Sequence, residues 1–256
     1  MSEQIKMRNN FQKVADWIRE SDGIIVCAAN GFSISEGFAI LRPSRWFSDN
    51  FQDYIQKYGI QTPLQGLNYP YRDPESFSKF YTRLMKGIHY DKPVSSIMKT
   101  LQQITEHKPA YIVTTNAEDR FVQAGYPEQN VFYLEGRFTH RTNHEPIPEE
   151  ELSSIQSPQQ LETAVYPGSP AFNRKLNNLN AFLNKHPRFV ILVLGVSAGN
   201  GYLRPLIQQM MQIYPASRLV ELNLDKTHTF ADPNRILDLE GNLEESLEKV
   251  QSDLSR

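Results

Sequence analysis

Several short stretches of this chain place polar or glycine residues where an apolar run stops, and these are the residues able to do chemistry. After one such run the sequence reads CAANGFSISEG, so Ala28, Ala29, Asn30, Gly31, Phe32 and Ser33 lead from an expected strand into an expected helix. Small side chains there let the backbone approach a pyrophosphate, and the following helix offers unpaired N–H groups and a positive dipole end. The stretch holds only Gly31 and Gly37, so it also reads as a tight strand-to-helix turn. A second run ends in Thr114, Thr115, Asn116, Ala117, Glu118 and Asp119. Asn116 there either faces a ligand or caps the next helix. A third ends in Glu135 and Gly136, where a carboxylate could orient a ribose hydroxyl, act as a base, or sit solvated in a loop. Gly195, Val196 and Ser197 end a fourth run and suit backbone approach to a phosphate or ribose. Asn223 and Leu224 end a fifth, and Asn242 and Leu243 follow a sixth. Each stretch taken singly also reads as an ordinary turn; their succession along one chain points to one ligand edge.

Other residues invite chemistry and carry less. His140 and His144 have the spacing of two ligands on one helical face, but Pro146 and Pro148 follow and no third ligand lies beside them, so no metal site is expected. Cys27 closes a buried strand and reads as core.

The elements that must position these residues follow from the apolar pattern. Strands are expected at 23–28, 110–115, 131–134, 189–196, 218–224 and 235–239. Most are continuous apolar runs, the composition of strands buried on both faces of a parallel sheet. Helices are expected from Phe11, Val14, Ala15 and Ile18; from Val94, Ile97, Met98 and Leu101; over 171–184; and from Leu243, Leu247, Val250 and Leu254. Asn242 and Glu245 have the spacing of an N-cap and its capping-box partner. Alternation of strand and helix predicts an α/β fold, a Rossmann-like doubly wound parallel sheet of about six strands. Residues 1–37, 91–139 and 187–256 are assigned to that domain. The aromatic-rich stretch 38–90 and the polar stretch 140–186 are expected to pack together as a small, mostly helical lobe inserted in it.

Composition narrows the function classes. The chain has 256 residues with 39% hydrophobic and 22% charged, an ordinary globular balance. A net charge of −2 argues against a nucleic-acid binder relying on a basic face. The longest apolar run, 189–196, is far too short to span a bilayer, and the first ten residues lack a signal-peptide core, so a cytoplasmic protein off the membrane is expected. One cysteine makes neither an internal disulfide nor a cysteine zinc cluster.

The order of the pieces AANGFSISEG, TTNAEDRFVQAG, VFYLEG, LGVS, VELN and LEGNLEESL resembles the sirtuin family from about residue 22 to residue 252. The Thr-Thr-Asn of the second piece and the aromatic stretch RWFSDNFQDY resemble most the macrodomain-linked bacterial sirtuins, often called class M. That resemblance implies NAD as the cofactor and NAD-dependent ADP-ribosyltransferase activity, with a lipoyl-carrier protein as acceptor. Ala28, Ala29, Asn30, Gly31, Phe32, Ser33, Thr115, Glu118, Gly195, Val196, Ser197, Asn223, Leu224, Asn242 and Leu243 would hold the dinucleotide. Asn116 and Glu135 would be catalytic: Asn116 orients the ribose or a water, and Glu135 engages the ribose hydroxyls and stabilises positive charge at the anomeric carbon. The sequence departs from the deacylating members in four ways. Cys27 and Ala29 stand where glycines are usual, Glu118 replaces an Asp, Glu135 replaces the catalytic histidine, and the zinc-ribbon cysteines are absent. The departures imply that efficient deacetylation is not the activity and that the lobe folds by packing alone, with no zinc ribbon. An NAD glycohydrolase and a catalytically silent NAD- or ADP-ribose-binding module remain as alternatives.

Overall fold

The computed structural model describes residues 3–162, 168–227, 229, 230, 232 and 234–256. Residues 163–167, which belong to the second expected insertion, lie outside that description. Six parallel strands form one sheet in the order β3-β2-β1-β4-β5-β6: β1 Gly23–Ala28, β2 Ala110–Thr114, β3 Val131–Tyr133, β4 Phe189–Leu194, β5 Arg218–Asn223 and β6 Ile236–Glu240. Each apolar run makes the strand expected of it, within two residues at either end. The two central strands, β1 and β4, are buried along their whole length.

The pleat divides β1 between two cores. Ile24, Val26 and Ala28 face one, while Ile25, Cys27 and Ala29 face the other. The first core is closed by α1 (Glu3–Glu20), α7 (Ser96–Thr105) and α11 (Leu243–Leu254), which present Phe11, Val14, Ile18, Leu101, Leu247 and Val250 to the sheet. The second is closed by α9 (Pro170–Lys185) and α10 (Leu203–Ile213). Each fully buried Ile, Leu or Val in these layers contributes about 1.5–3 kcal/mol relative to exposure. At the start of α11 the Asn242 side chain accepts the Glu245 amide at 3.1 Å. The reciprocal half of the expected capping box does not form; the Glu245 carboxylate lies 4.0 Å from Lys249 instead, one turn along the helix.

The aromatic stretch folds into four short helices, α3 (Arg45–Asn50), α4 (Gln52–Tyr58), α5 (Pro63–Leu67) and α6 (Pro74–Met85), the last running into a π-turn at Lys86–Tyr90. Local sequence sets their ends. The side chains of Ser44, Thr62 and Asp73 cap α3, α5 and α6, Pro63 and Pro74 occupy first-turn positions, and Gly59 ends α4 at φ 71°. Their core of Phe47, Phe51, Phe77, Phe80, Tyr81 and Leu84 takes in Ile147, Leu152, Ile155 and Leu161 from the second insertion. Tyr81 donates to the Phe138 carbonyl at 2.8 Å and Ser78 to the Ser153 carbonyl at 2.7 Å. A third core, built from side chains of both insertions, therefore holds these segments together beside the sheet. One part of the second insertion does not join it. α9 lays Phe172, Leu176, Leu179 and Leu183 on the sheet's second face, so the lobe's share of 140–186 stops before that helix. A stripe at this spacing fits either neighbour, and what it covers is the second face of β3 and β2, where Phe172 meets Phe132 and Phe182 meets Tyr111.

Candidate active site

The sheet reverses its strand order between β1 and β4, and the loops leaving these two strands touch backbone to backbone. The Gly31 N–H donates to the Gly195 carbonyl at 3.1 Å, and the Ala29 N–H to the Leu194 carbonyl at 3.2 Å. A Cβ on Gly31 would lie 2.6 Å from the Gly195 Cα, and Gly195 sits at φ +63°. The glycines of the first and fourth stretches are thus required by each other. Over this switch point lies an open cleft of about 970 Å³ along the carboxyl edge, where open α/β sheets bind ligands. Four strand spacings separate the ends of β3 and β5, roughly 19 Å at about 4.8 Å each, so the cleft is long as well as wide.

The sequence candidates divide cleanly. Ala29, Asn30, Gly31, Thr115, Asn116, Glu118, Glu135, Gly195, Ser197, Asn223, Leu224, Asn242 and Leu243 line the cleft. Ala28, Phe32, Ser33 and Val196 do not. Ala28 and Val196 are buried in the sheet's two cores, and Phe32 stacks on Phe121 at 5.6 Å between ring centroids. Ser33 lies one layer behind the cleft and donates to Glu118 at 3.0 Å. The turn after β1 winds straight into the short α2 (Asn30–Ser35), which turns Phe32 inward; that rotation was not legible from the loop's composition.

Asn116 is held rather than free. Its amide nitrogen donates to the Ala29 carbonyl at 3.1 Å, and its backbone N–H donates to the Thr114 hydroxyl at 3.0 Å. It does not cap the next helix, α8 (Arg120–Gln123), whose N-cap residue is Asp119 at φ 59°. The side chain thus joins the β1 and β2 ends while facing the cleft. Glu135 is exposed at the cleft's mouth and makes no hydrogen bond or ion pair with the described residues. Partial burial among the mouth residues nevertheless raises its pKa above the usual carboxylate value.

Glu118 is the most perturbed acid of the cleft. Only 2% of it is exposed, Ser33 donates to its Oε1, and its Oε2 is buried with no partner among the described residues. Burial pushes its pKa up to about 7 against hydrogen bonds that pull it down. Its carbonyl accepts from Nδ1 of His89 at 2.8 Å, and burial lowers the His89 pKa below the usual imidazole value. Behind this corner, Arg120 donates to Glu36 at 3.1 and 3.2 Å in a fully buried pair that Ser95 joins at 2.8 Å, fixing the far end of α2. Because the folded pKa of Glu118 lies above the ordinary glutamate value of 4.5, the native state holds an extra proton between about pH 4.5 and 7. Stability from this group is therefore full below that window and lost as pH rises through it. Urea-unfolding free energies measured from pH 4.5 to 7.5 should fall more steeply for the wild type than for Glu118→Gln, by on the order of 1–3 kcal/mol across the window. Parallel profiles would show that Glu118 stays ionised.

The lobe supplies cleft residues that the strand ends did not announce. Ile40, Leu41, Arg42 and Leu64 line the cleft, Leu41 with 56% of its surface exposed. Their distance in sequence from every strand end hid them. Below the β4 and β5 loops lies a buried ion pair, Arg204 with Glu221. A carboxylate inside a buried strand needs a cationic or donor partner, and that signal was present in the VELN stretch. Among the described residues no group of three or more His, Cys, Asp or Glu could hold a metal ion. His140 is buried beside Thr139 with its pKa lowered to about 4 by that burial, whereas His144 bonds Glu162 at 2.7 Å. No helix among the described residues is long and apolar enough to cross a membrane.

Comparison with known proteins places this architecture. Solved Sir2 enzymes superpose over the whole chain. One, described under the structural basis for the mechanism and regulation of Sir2 enzymes, covers 100% of this chain and 98% of its own at TM-score 0.62 and 17% identity. Another, a point mutant of a Sir2 homologue in complex with ADP-ribose, covers 100% and 97% at TM-score 0.62 and 20% identity. No family model matches the sequence. The fold is therefore the Sir2 fold. In sequence the chain is 30% identical over 138 residues to a protein ADP-ribosyltransferase of Staphylococcus aureus (strain Mu50 / ATCC 700699). That match spans 54% of this chain and 42% of the relative, less than half of the relative's length.

Proposed function

We propose that this chain is an NAD-dependent protein ADP-ribosyltransferase of the class M sirtuin type, with NAD as substrate in the carboxyl-edge cleft. The observation that carries the reading is that Asn116 and Glu135 line one cleft together with Glu118, whose buried Oε2 has no hydrogen-bond partner among the described residues. A buried oxygen without a partner is costly, and a donor group on a bound ligand would relieve that cost. The named activity of the Staphylococcus relative and the ADP-ribose bound by a Sir2 neighbour support the same ligand class.

The residues divide the work. Glu118 and Asn116 orient the ring end and ribose of the substrate; Ser197, Asn223 and Asn242 receive the adenosine end. As the bond to nicotinamide breaks, positive charge grows on the ribose. The Glu135 carboxylate at the mouth stabilises that charge and takes the proton of the incoming acceptor. A carboxylate in place of histidine turns the site away from efficient deacetylation. The exposed mouth admits a protein acceptor, for which a lipoyl-carrier protein is the candidate. A cytoplasmic enzyme that needs no zinc completes the reading.

One observation favours a second reading, a silent NAD- or ADP-ribose-binding module: the Gly31 and Phe32 amides already donate to Gly195 and Ala29, leaving fewer donors for a pyrophosphate. The test has two stages. A ligand at a hundred times its Kd stabilises the native state by about 2.7 kcal/mol, so NAD and ADP-ribose should raise Tm by several degrees. Incubation with labelled NAD should then release nicotinamide and label a carrier protein. Binding without nicotinamide release would establish the silent module; release without label transfer would establish a glycohydrolase; no thermal shift at millimolar ligand would end the assignment of this cleft.

A further inference from the structure

Beneath the β4 and β5 loops, the Arg204 guanidinium is 7% exposed and the Glu221 carboxylate 1%. Arg204 sits in the first turn of α10 and reaches back under the β4 loop. Its Nε donates to the Ser197 carbonyl at 3.1 Å, and its Nη2 donates to the Val196 carbonyl and to Glu221. Glu221 in turn accepts the Asn223 amide at 3.2 Å and the Thr227 hydroxyl at 2.5 Å. Ser197, Asn223 and Thr227 all line the cleft, whereas Arg204 and Glu221 do not.

A buried ion pair is a poor stabiliser, because desolvating both charges offsets most of their attraction. This pair is less favourable still, since Arg204 Nη1 is buried with no hydrogen-bond partner among the described residues, although the guanidinium lies 5.6 Å from the Phe230 ring centroid. What it does achieve is geometric. One rigid fork fixes two consecutive carbonyls of the β4 loop, and the carboxylate it anchors fixes two side chains of β5 and the loop beyond it. Three cleft residues from two strand ends are thereby held in one frame. They lie over β4 and β5, at the opposite end of the cleft from Asn116 and Glu135.

We infer that Arg204 and Glu221 are positioning residues for the adenosine end of an ADP-ribose-containing ligand. Through them Ser197, Asn223 and Thr227 are pre-set to hydrogen-bond its ribose hydroxyls and diphosphate oxygens. The inference rests on the reading of the cleft as an NAD site, and it concerns affinity for the adenosine half rather than the bond-breaking step.

The test uses the full chain, calorimetric titration with ADP-ribose and with AMP, and steady-state nicotinamide release. Glu221→Gln keeps an acceptor for Asn223 and Thr227 but leaves Arg204 unpaired; Arg204→Lys keeps the charge and loses the fork. Both should weaken ADP-ribose and AMP by about tenfold or more, with the kinetic loss in KM for NAD rather than in kcat. Thr227→Val removes one positioned hydroxyl from a partly exposed residue. It should weaken AMP by a few-fold with Tm unchanged, which keeps the inference open to refutation even where both charge variants fail to fold. Folded variants that bind AMP and ADP-ribose as tightly as the wild type would overturn the inference alone. Wild-type protein that binds neither ligand would overturn the site assignment and this inference together.

Discussion

Glu135→Gln should retain the fold and the affinity for ADP-ribose while lowering nicotinamide release by roughly a hundredfold or more. The substitution keeps size and hydrogen-bonding capacity and removes only the charge. Glu135 is exposed at the cleft mouth and makes no hydrogen bond or ion pair with the described residues, so its loss breaks nothing in the fold. Its chemistry is another matter. Charge that develops on the ribose as nicotinamide departs is stabilised by a preorganised carboxylate, and an amide supplies neither that charge nor a base. The raised Glu135 pKa has the same direction of consequence: activity should rise with pH as the carboxyl ionises, on a limb displaced above the ordinary Glu range, and Glu135→Gln should flatten that limb. Single-turnover nicotinamide release over a pH series, beside ADP-ribose titrations, separates the effects. Wild-type turnover in Glu135→Gln would make the side chain a bystander. Asn116→Ala is a less clean probe, since it also removes the 3.1 Å bond that ties β2 to the β1 loop.

The sheet was legible because its central strands are apolar on both faces. The run GIIVCA has no polar face to offer solvent, so a buried parallel strand is its natural home, and the bounds 23–28 match β1 residue for residue. The ligand edge was legible for a related reason: in a parallel sheet every strand ends on the same side, so Asn116, Glu135, Ser197 and Asn223 must gather there once the strands are right. Side-chain direction within the loops was not legible. Asn30, Phe32 and Ser33 look alike as loop residues, yet one turn of α2 sends Asn30 to the cleft and Phe32 against Phe121. Arg204 was hidden for another reason. On an amphipathic helix an arginine reads as a solvated face, and only the carboxylate of Glu221 inside β5 calls for a buried cation. The placement of α9 was ambiguous because an apolar helical stripe does not state which neighbour it covers.

Gly31→Ala should cost about 1–3 kcal/mol of stability or more, the range of a steric insertion into a packed site. ADP-ribose should no longer bind at concentrations that saturate the wild type. The new methyl carbon would lie 2.6 Å from the Gly195 Cα and 2.7 Å from its carbonyl oxygen, both backbone atoms that cannot rotate away. The Gly31 N–H bond to that carbonyl would be stretched, and with it the approach of the β1 and β4 loops on which both flanks of the cleft depend. Gly195→Ala should be at least as damaging. Its Cβ would lie 2.5 Å from the Gly31 carbonyl carbon and from the Phe32 nitrogen, and its φ of +63° adds about 1–2 kcal/mol for any L side chain. Two other glycines provide the contrast. Gly37 has φ +95°, but a Cβ there would meet only the Lys92 amine at 3.8 Å, so Gly37→Ala should cost its backbone strain alone, about 1 kcal/mol. Gly199 has open space and no positive φ, and Gly199→Ala should be neutral within about 0.5 kcal/mol. Urea-unfolding midpoints and ADP-ribose titrations on the four variants test this order. Were Gly31→Ala to unfold with Gly199→Ala and still bind ADP-ribose, the β1 and β4 loops would have to be free to part, and the switch point would not be the rigid floor of the cleft.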